Sequence, residues 1–177
     1  DSIQSYIQYY ADYDKQSKKF TLSSFLYTEN KSGLDFKHAD IEVIAGAPRF
    51  LKPTNEYKTR SLQAMSMNSR NNTIEQKDNY YKYVLSQRHT LTNNSLTSFP
   101  LFPKKELRAT LTYRYSAPII YYHQNHELAS EPVDLILTFK NVSAIPLASG
   151  KIQVFSNNEF IGEDILPATS IGYRQSI

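Results

Sequence analysis

Leu107-Arg108-Ala109-Thr110-Leu111-Thr112-Tyr113-Arg114-Tyr115 alternates apolar and polar side chains without a break. Successive side chains of an extended chain point to opposite faces. Leu107, Ala109, Leu111, Tyr113 and Tyr115 therefore share one side, and the arginines and threonines share the other. A helix would scatter the same five residues around its circumference. Val133, Leu135, Leu137 and Phe139 repeat the pattern against Asp134, Ile136, Thr138 and Lys140. Two half-buried strands follow, and the predicted fold class is all-β.

Working outward, Ile152 and Val154 alternate within Lys151 to Phe155, and Asn157-Asn158 has the composition of a two-residue hairpin turn leading into Phe160 to Leu166. Asn tolerates positive φ better than other residues that carry a Cβ. Toward the N-terminus, Tyr6 to Tyr13 and Lys19 to Glu29 read as strands joined by the polar turn Asp14 to Lys18, with Asn30 to Gly33 as the next turn. Asp40 to Ala45, Tyr80 to Gln87 and Leu96 to Phe102 complete the set. Short strands separated by turn signals predict antiparallel meander hairpins in a β-sandwich, immunoglobulin-like or related. At 177 residues the expectation is one domain over 1–177. Periodicity is lost from about Phe50 to Asn79, which reads as a long insert, with Arg60 to Met67 suited to a short helix.

Composition supports strands and narrows function. Aromatics comprise 14 Tyr and 9 Phe with no Trp, which suits half-buried sheet faces. The net charge of +3 is concentrated between Arg49 and Asp78, where six basic residues face three acidic ones. Nucleic-acid binders add a fold signature to such a basic excess, and none is visible, so a nucleic-acid partner is not expected. The absence of Cys removes disulfides, zinc ribbons and thiol nucleophiles. No apolar run reaches the 18 or so residues of a membrane span. A chain beginning at Asp1 without a basic start and apolar core is expected to be a fragment of a longer, secreted protein.

Several segments together resemble a known family. Phe20 to Gly33 (FTLSSFLYTENKSG) is a strand ending in an Asn-x-Ser-Gly turn, and Phe36 to Pro48 (FKHADIEVIAGAP) ends in Gly-x-Pro. The Met-bearing insert, Tyr81 to Leu85 (YKYVL), Ser98 to Phe102 (SFPLF), Phe139 to Gly150 (FKNVSAIPLASG) and Phe160 to Glu163 (FIGE) continue the pattern. This succession is similar to the C-terminal β domain of the mucoidy-inhibitor-A-like family of bacterial proteins, a domain of unknown function. The resemblance implies a secreted, periplasmic or cell-envelope location. It also implies a signal peptide, a smaller β domain and a coiled coil ahead of Asp1, with further strands beyond Gly172. It carries no catalytic residues.

Candidate sites are few. His123-x-x-His126 with Glu127 is the one local cluster with metal-ligand chemistry, and on a strand two imidazoles three residues apart face opposite ways. It makes a weak metal site and a poor basis for a metal-dependent enzyme. Serines lack a Gly-x-Ser-x-Gly setting, and the carboxylates cannot be paired from sequence, so the chain is expected to be no enzyme and to use no cofactor. Tyr9 and Tyr13, with Tyr6, Tyr10, Tyr121 and Tyr122, suggest an aromatic surface for a glycan or protein partner, against the alternative that tyrosines of half-buried strands pack inward. Arg60, Leu62, Met65 and Met67 are the candidate partner-binding residues of the insert, since Met adapts to contact surfaces. Asn30-Lys-Ser and Asn141-Val-Ser read as polar turns. The expected function is a structural or protein-interaction module that binds a partner or a second copy through a sheet edge.

Overall fold

The computed structural model describes residues 2–46, 73–77, 80–115 and 133–177. In chain order the strands are β1 (Ser2–Asp14), β2 (Lys19–Lys31), β3 (Phe36–Ala39), β4 (Glu42–Gly46), β5 (Thr73–Lys77) and β6 (Tyr80–Val84). They continue as β7 (His89–Leu91), β8 (Ser95–Arg114), β9 (Asp134–Lys140), β10 (Gly150–Ser156), β11 (Glu159–Leu166) and β12 (Arg174–Ser176). No helix occurs among the described residues, so the all-β expectation holds.

Seven strands form one sheet in the order β11-β10-β1-β2-β8-β9-β12, and β3-β7 and β4-β6-β5 form two smaller sheets. The large sheet curls, bringing Leu135 and Leu137 of β9 and Ile161 of β11 around one small cleft. It is mixed rather than purely antiparallel: β1 pairs with β10 in parallel, Gln8 opposite Lys151 through Tyr13 opposite Ser156. Local periodicity announces strands but carries no information on pairing between such distant segments, which is why a meander was expected instead.

The inward faces match the alternation. Tyr9, Ala11, Phe20, Leu22, Leu101, Leu107, Ala109, Leu137, Phe139, Ile152 and Leu166 are buried in one cluster. Leu107 to Arg114 lies within β8, with Tyr115 just beyond its end, but Leu111 is only partly covered and Tyr113 and Tyr115 are exposed, because the strand runs past the end of the core. Asn157 and Asn158 both take positive φ between Ser156 and Glu159, the turn their composition indicates.

Two expectations need correction. Tyr9 and Tyr13 are core residues, 0% and 4% exposed, so neither offers a partner surface; odd-numbered residues of β1 point inward. The insert also ends earlier than its composition suggests, since Thr73–Lys77 forms β5 and pairs with β6. Arg60, Leu62, Met65 and Met67, with the short helix expected there, lie outside the described residues, as do Tyr121, Tyr122, His123, His126 and Glu127.

The hydrogen bonds expose an internal repeat. Buried Asn30 donates through Nδ2 to the carbonyls of Leu34 (2.8 Å) and Leu91 (2.9 Å), while its Oδ1 accepts from Ser32 Oγ (2.7 Å) and Ser32 N (3.1 Å). Buried Asn141 donates to Ile145 O (2.8 Å) and Thr169 O (3.3 Å) and accepts from Ser143 Oγ (2.6 Å) and Ser143 N (3.3 Å). Six residues beyond each Asn a bridge forms, Phe36 to Leu91 and Leu147 to Thr169. Three residues beyond the bridge partner, an amide at positive φ returns to the Asn carbonyl: Asn94 N to Asn30 O (2.7 Å) and Gly172 N to Asn141 O (2.6 Å). Each Asn thus ties a strand end to the loop that follows it and to a returning strand. The first unit runs through β1, β2 and the start of β8. The second runs through the end of β8, β9 and β12, so that β8 is shared.

Candidate functional site

The two units differ in what lies over their inner faces. In register, Ile3, Ser5 and Thr28 of the first unit correspond to Leu107, Ala109 and Phe139 of the second. The three residues of the second unit are buried, and the Phe139 ring meets Phe20 edge-on at 5.0 Å. In the first unit Ile3 is 44% exposed and Ser5 is exposed, with its hydroxyl 3.1 Å from that of Thr28. Among the described residues, positions that the second unit buries are here left open at Ile3 and Ser5.

The opening is a groove of about 910 Å³. Ile3, Ser5, Ile7, Leu26 and Thr28 form its floor. Phe36, Ile41, Val43 and Ala45 stand opposite, on the segment that the first Asn motif launches from the end of β2. Ala148 and Ser149, where the second motif leads into β10, close one end. Two buried hydroxyls hold that end: Tyr9 donates to Ala148 O (2.9 Å) and Tyr83 of β6 donates to Pro146 O (2.7 Å). Burial pushes both phenols well above their ordinary range, so they remain neutral donors with a structural role. The rim carboxylates are compensated, Asp40 by Arg88 (3.1 Å) and Glu42 by Lys82 (2.8 Å). Among the described residues the groove therefore offers apolar area with both of its rim carboxylates paired.

The outer face of β1 and β2 carries a second feature. Tyr6 and Tyr27 stack with centroids 5.2 Å apart and planes 7° apart, and Tyr10 shares a 3.0 Å hydrogen bond with the Tyr27 hydroxyl. Phe25 meets Tyr10 edge-on at 5.8 Å. The hydrogen bond to Tyr27, with a smaller contribution from burial, pushes the Tyr10 phenol up to about 12. Tyr6 is half exposed, which leaves one ring face open to solvent.

Of the tyrosines singled out in sequence, the even-numbered members of β1 make this surface and the odd-numbered ones make the core. The groove residues were not singled out at all. The available signal was the recurrence of Asn-x-Ser at positions 30 and 141, each at a strand end and each followed two residues later by an aliphatic residue. Among the described residues no three His, Asp or Glu side chains gather as a metal-ligand set, and no helix is long and apolar enough to cross a membrane. No protein-family model, curated protein or solved structure matches this chain.

Proposed function

We propose that this chain is a non-catalytic interaction module of a secreted or envelope-type bacterial protein, folded as a single sandwich-like domain, and that the groove over β1 is where it holds its partner. The observation that carries this reading is the open floor at Ile3 and Ser5, where the same chain buries their counterparts Leu107 and Ala109. Exposed apolar concavities with compensated rims suit uncharged partners better than substrates that need charge recognition. The resemblance to the mucoidy-inhibitor-A-like β domain supports the location. Selection of a random peptide library on the wild-type chain should enrich binders that the Ile3→Glu/Ile44→Glu double variant loses. Ile3 and Ile44 are both exposed, so the double variant keeps its core. Equal enrichment on both proteins would remove the groove from the account.

The stacked Tyr6 and Tyr27 favour a second reading, a glycan platform on the outer face. Flat aromatic area with a nearby hydroxyl suits the apolar faces of sugar rings. A glycan array on which wild type and Tyr6→Ala give the same signal would count against it.

A further inference from the structure

We infer that the groove takes its partner as an added β-strand, an extended uncharged peptide segment running antiparallel beside the first half of β1. This inference rests on the reading of the groove as the partner site. Three observations carry it.

The first is backbone direction. Asn30 directs its carbonyl to Asn94 on the β8 side, so Asn30 and, by alternation, Thr28 turn their peptide groups away from β1. Their cross-strand partners Ile3 and Ser5 must then turn their own N–H and C=O away from β2. The Ile7 carbonyl confirms the parity from the other side, since a Cβ on Gly150 of β10 would sit 2.6 Å from it. The β1·β10 ladder begins only at Gln8, so among the described residues Ile3 and Ser5 have no strand partner on that edge. Each of these two residues offers a side chain to the groove and a peptide group to the same edge.

The second observation is what occupies the equivalent edge in the second unit. Ala109, which corresponds to Ser5, donates its N–H to Lys18 O at 3.0 Å. The neighbouring pairs Lys19 with Arg108 and Phe20 with Leu107 run antiparallel. Phe20 thereby reaches Phe139, the counterpart of Thr28. The molecule itself shows the strand direction and the side-chain type that cover this edge.

The third is charge. With Asp40 and Glu42 both compensated at the rim, recognition falls to main-chain hydrogen bonds and to apolar side chains at alternate positions.

The test uses the whole chain and the capped synthetic heptapeptide of residues 20–26, Phe-Thr-Leu-Ser-Ser-Phe-Leu, which carries no charge, followed by NMR titration and amide exchange. Bound peptide should slow exchange of the Ser5 amide by about tenfold or more and shift Ile3, Phe36 and Ile41 resonances. Ser5→Pro removes the outward N–H without touching the β2 ladder and should weaken binding by about tenfold, while Ser5→Ala should bind like wild type. Peptide that shifts the groove side chains but leaves Ser5 exchange unchanged would overturn strand addition and leave the groove reading standing. Equal binding by Ser5→Pro and Ser5→Ala would overturn it too, as would the absence of any shift at about 1 mM peptide.

Discussion

The Asn-anchored units share a hydrogen-bond frame and differ in what they do with the faces it creates. Below the frame, the second unit packs Leu107, Ala109 and Phe139 into the core, while the first leaves Ile3 and Ser5 at the floor of a groove. Above it, the first unit presents Tyr6 against Tyr27 where the second pairs Thr110 with Thr138. A duplicated frame can be kept for stability in both places and freed for binding in one. The difference lies in the side chains and in the strand beside them: β2 flanks Leu107 and Ala109, whereas among the described residues Ile3 and Ser5 have no strand on the corresponding edge.

The largest expected effect is on the frame. Asn30→Ala and Asn141→Ala each remove a buried amide that links two carbonyls and a serine, and each should lower unfolding free energy in urea by about 2–4 kcal/mol. Closely similar losses would sharpen the equivalence; a large loss at Asn141 with none at Asn30 would break it. Gly150→Ala is next. A Cβ there meets the Ile7 carbonyl at 2.6 Å and the Tyr9 ring at 3.0 Å. The strain should cost about 1–3 kcal/mol by the same assay. The clash is with backbone, where β10, which follows the second Asn motif, seats against β1 of the first unit.

Smaller effects are expected where the two units are tied through Pro146 and Ala148. Tyr9→Phe and Tyr83→Phe each leave one carbonyl of that segment unpaired and should destabilise by about 1–2 kcal/mol in thermal or urea unfolding. The smallest effect concerns the aromatic face that the first unit alone carries. In Tyr27→Phe, ultraviolet titration should show Tyr10 ionising nearer the ordinary 10 than about 12. A raised phenol pKa means that the neutral form is the one stabilised in the fold. That contribution is complete below pH 10 and lost as pH rises toward 12, so wild type should weaken over this interval more than Tyr27→Phe does.

Much of the fold was legible because alternation is a local property. The runs at Leu107, Leu135, Ile152 and Tyr81 each placed a strand, and the Asn157-Asn158 turn announced its own geometry. The parallel seat of β10 on β1 was not legible, since nothing in either segment names its partner. The strand at Thr73–Lys77 was missed because pairing with β6, not an evident alternation, makes it a strand. Tyr9 and Tyr13 illustrate a finer limit. Their spacing put them on one face, but only what packs over that face, Phe102 and the Ala148 segment against Tyr9, decided that it is the core. The groove was invisible for the same reason, because Ile3, Ser5 and Thr28 are unremarkable residues until their counterparts in the second unit are seen buried.

By itself the sequence determined the strands, their two faces and several of the turns, because side-chain alternation and backbone preference act over a few residues. The tertiary structure alone decided which faces became core, that two Asn-x-Ser turns are buried anchors, and that among the described residues one half of β1 has no strand on its outer edge. Those outcomes depend on contacts between segments far apart in the chain, where pairing and burial are settled by what else is available to pack.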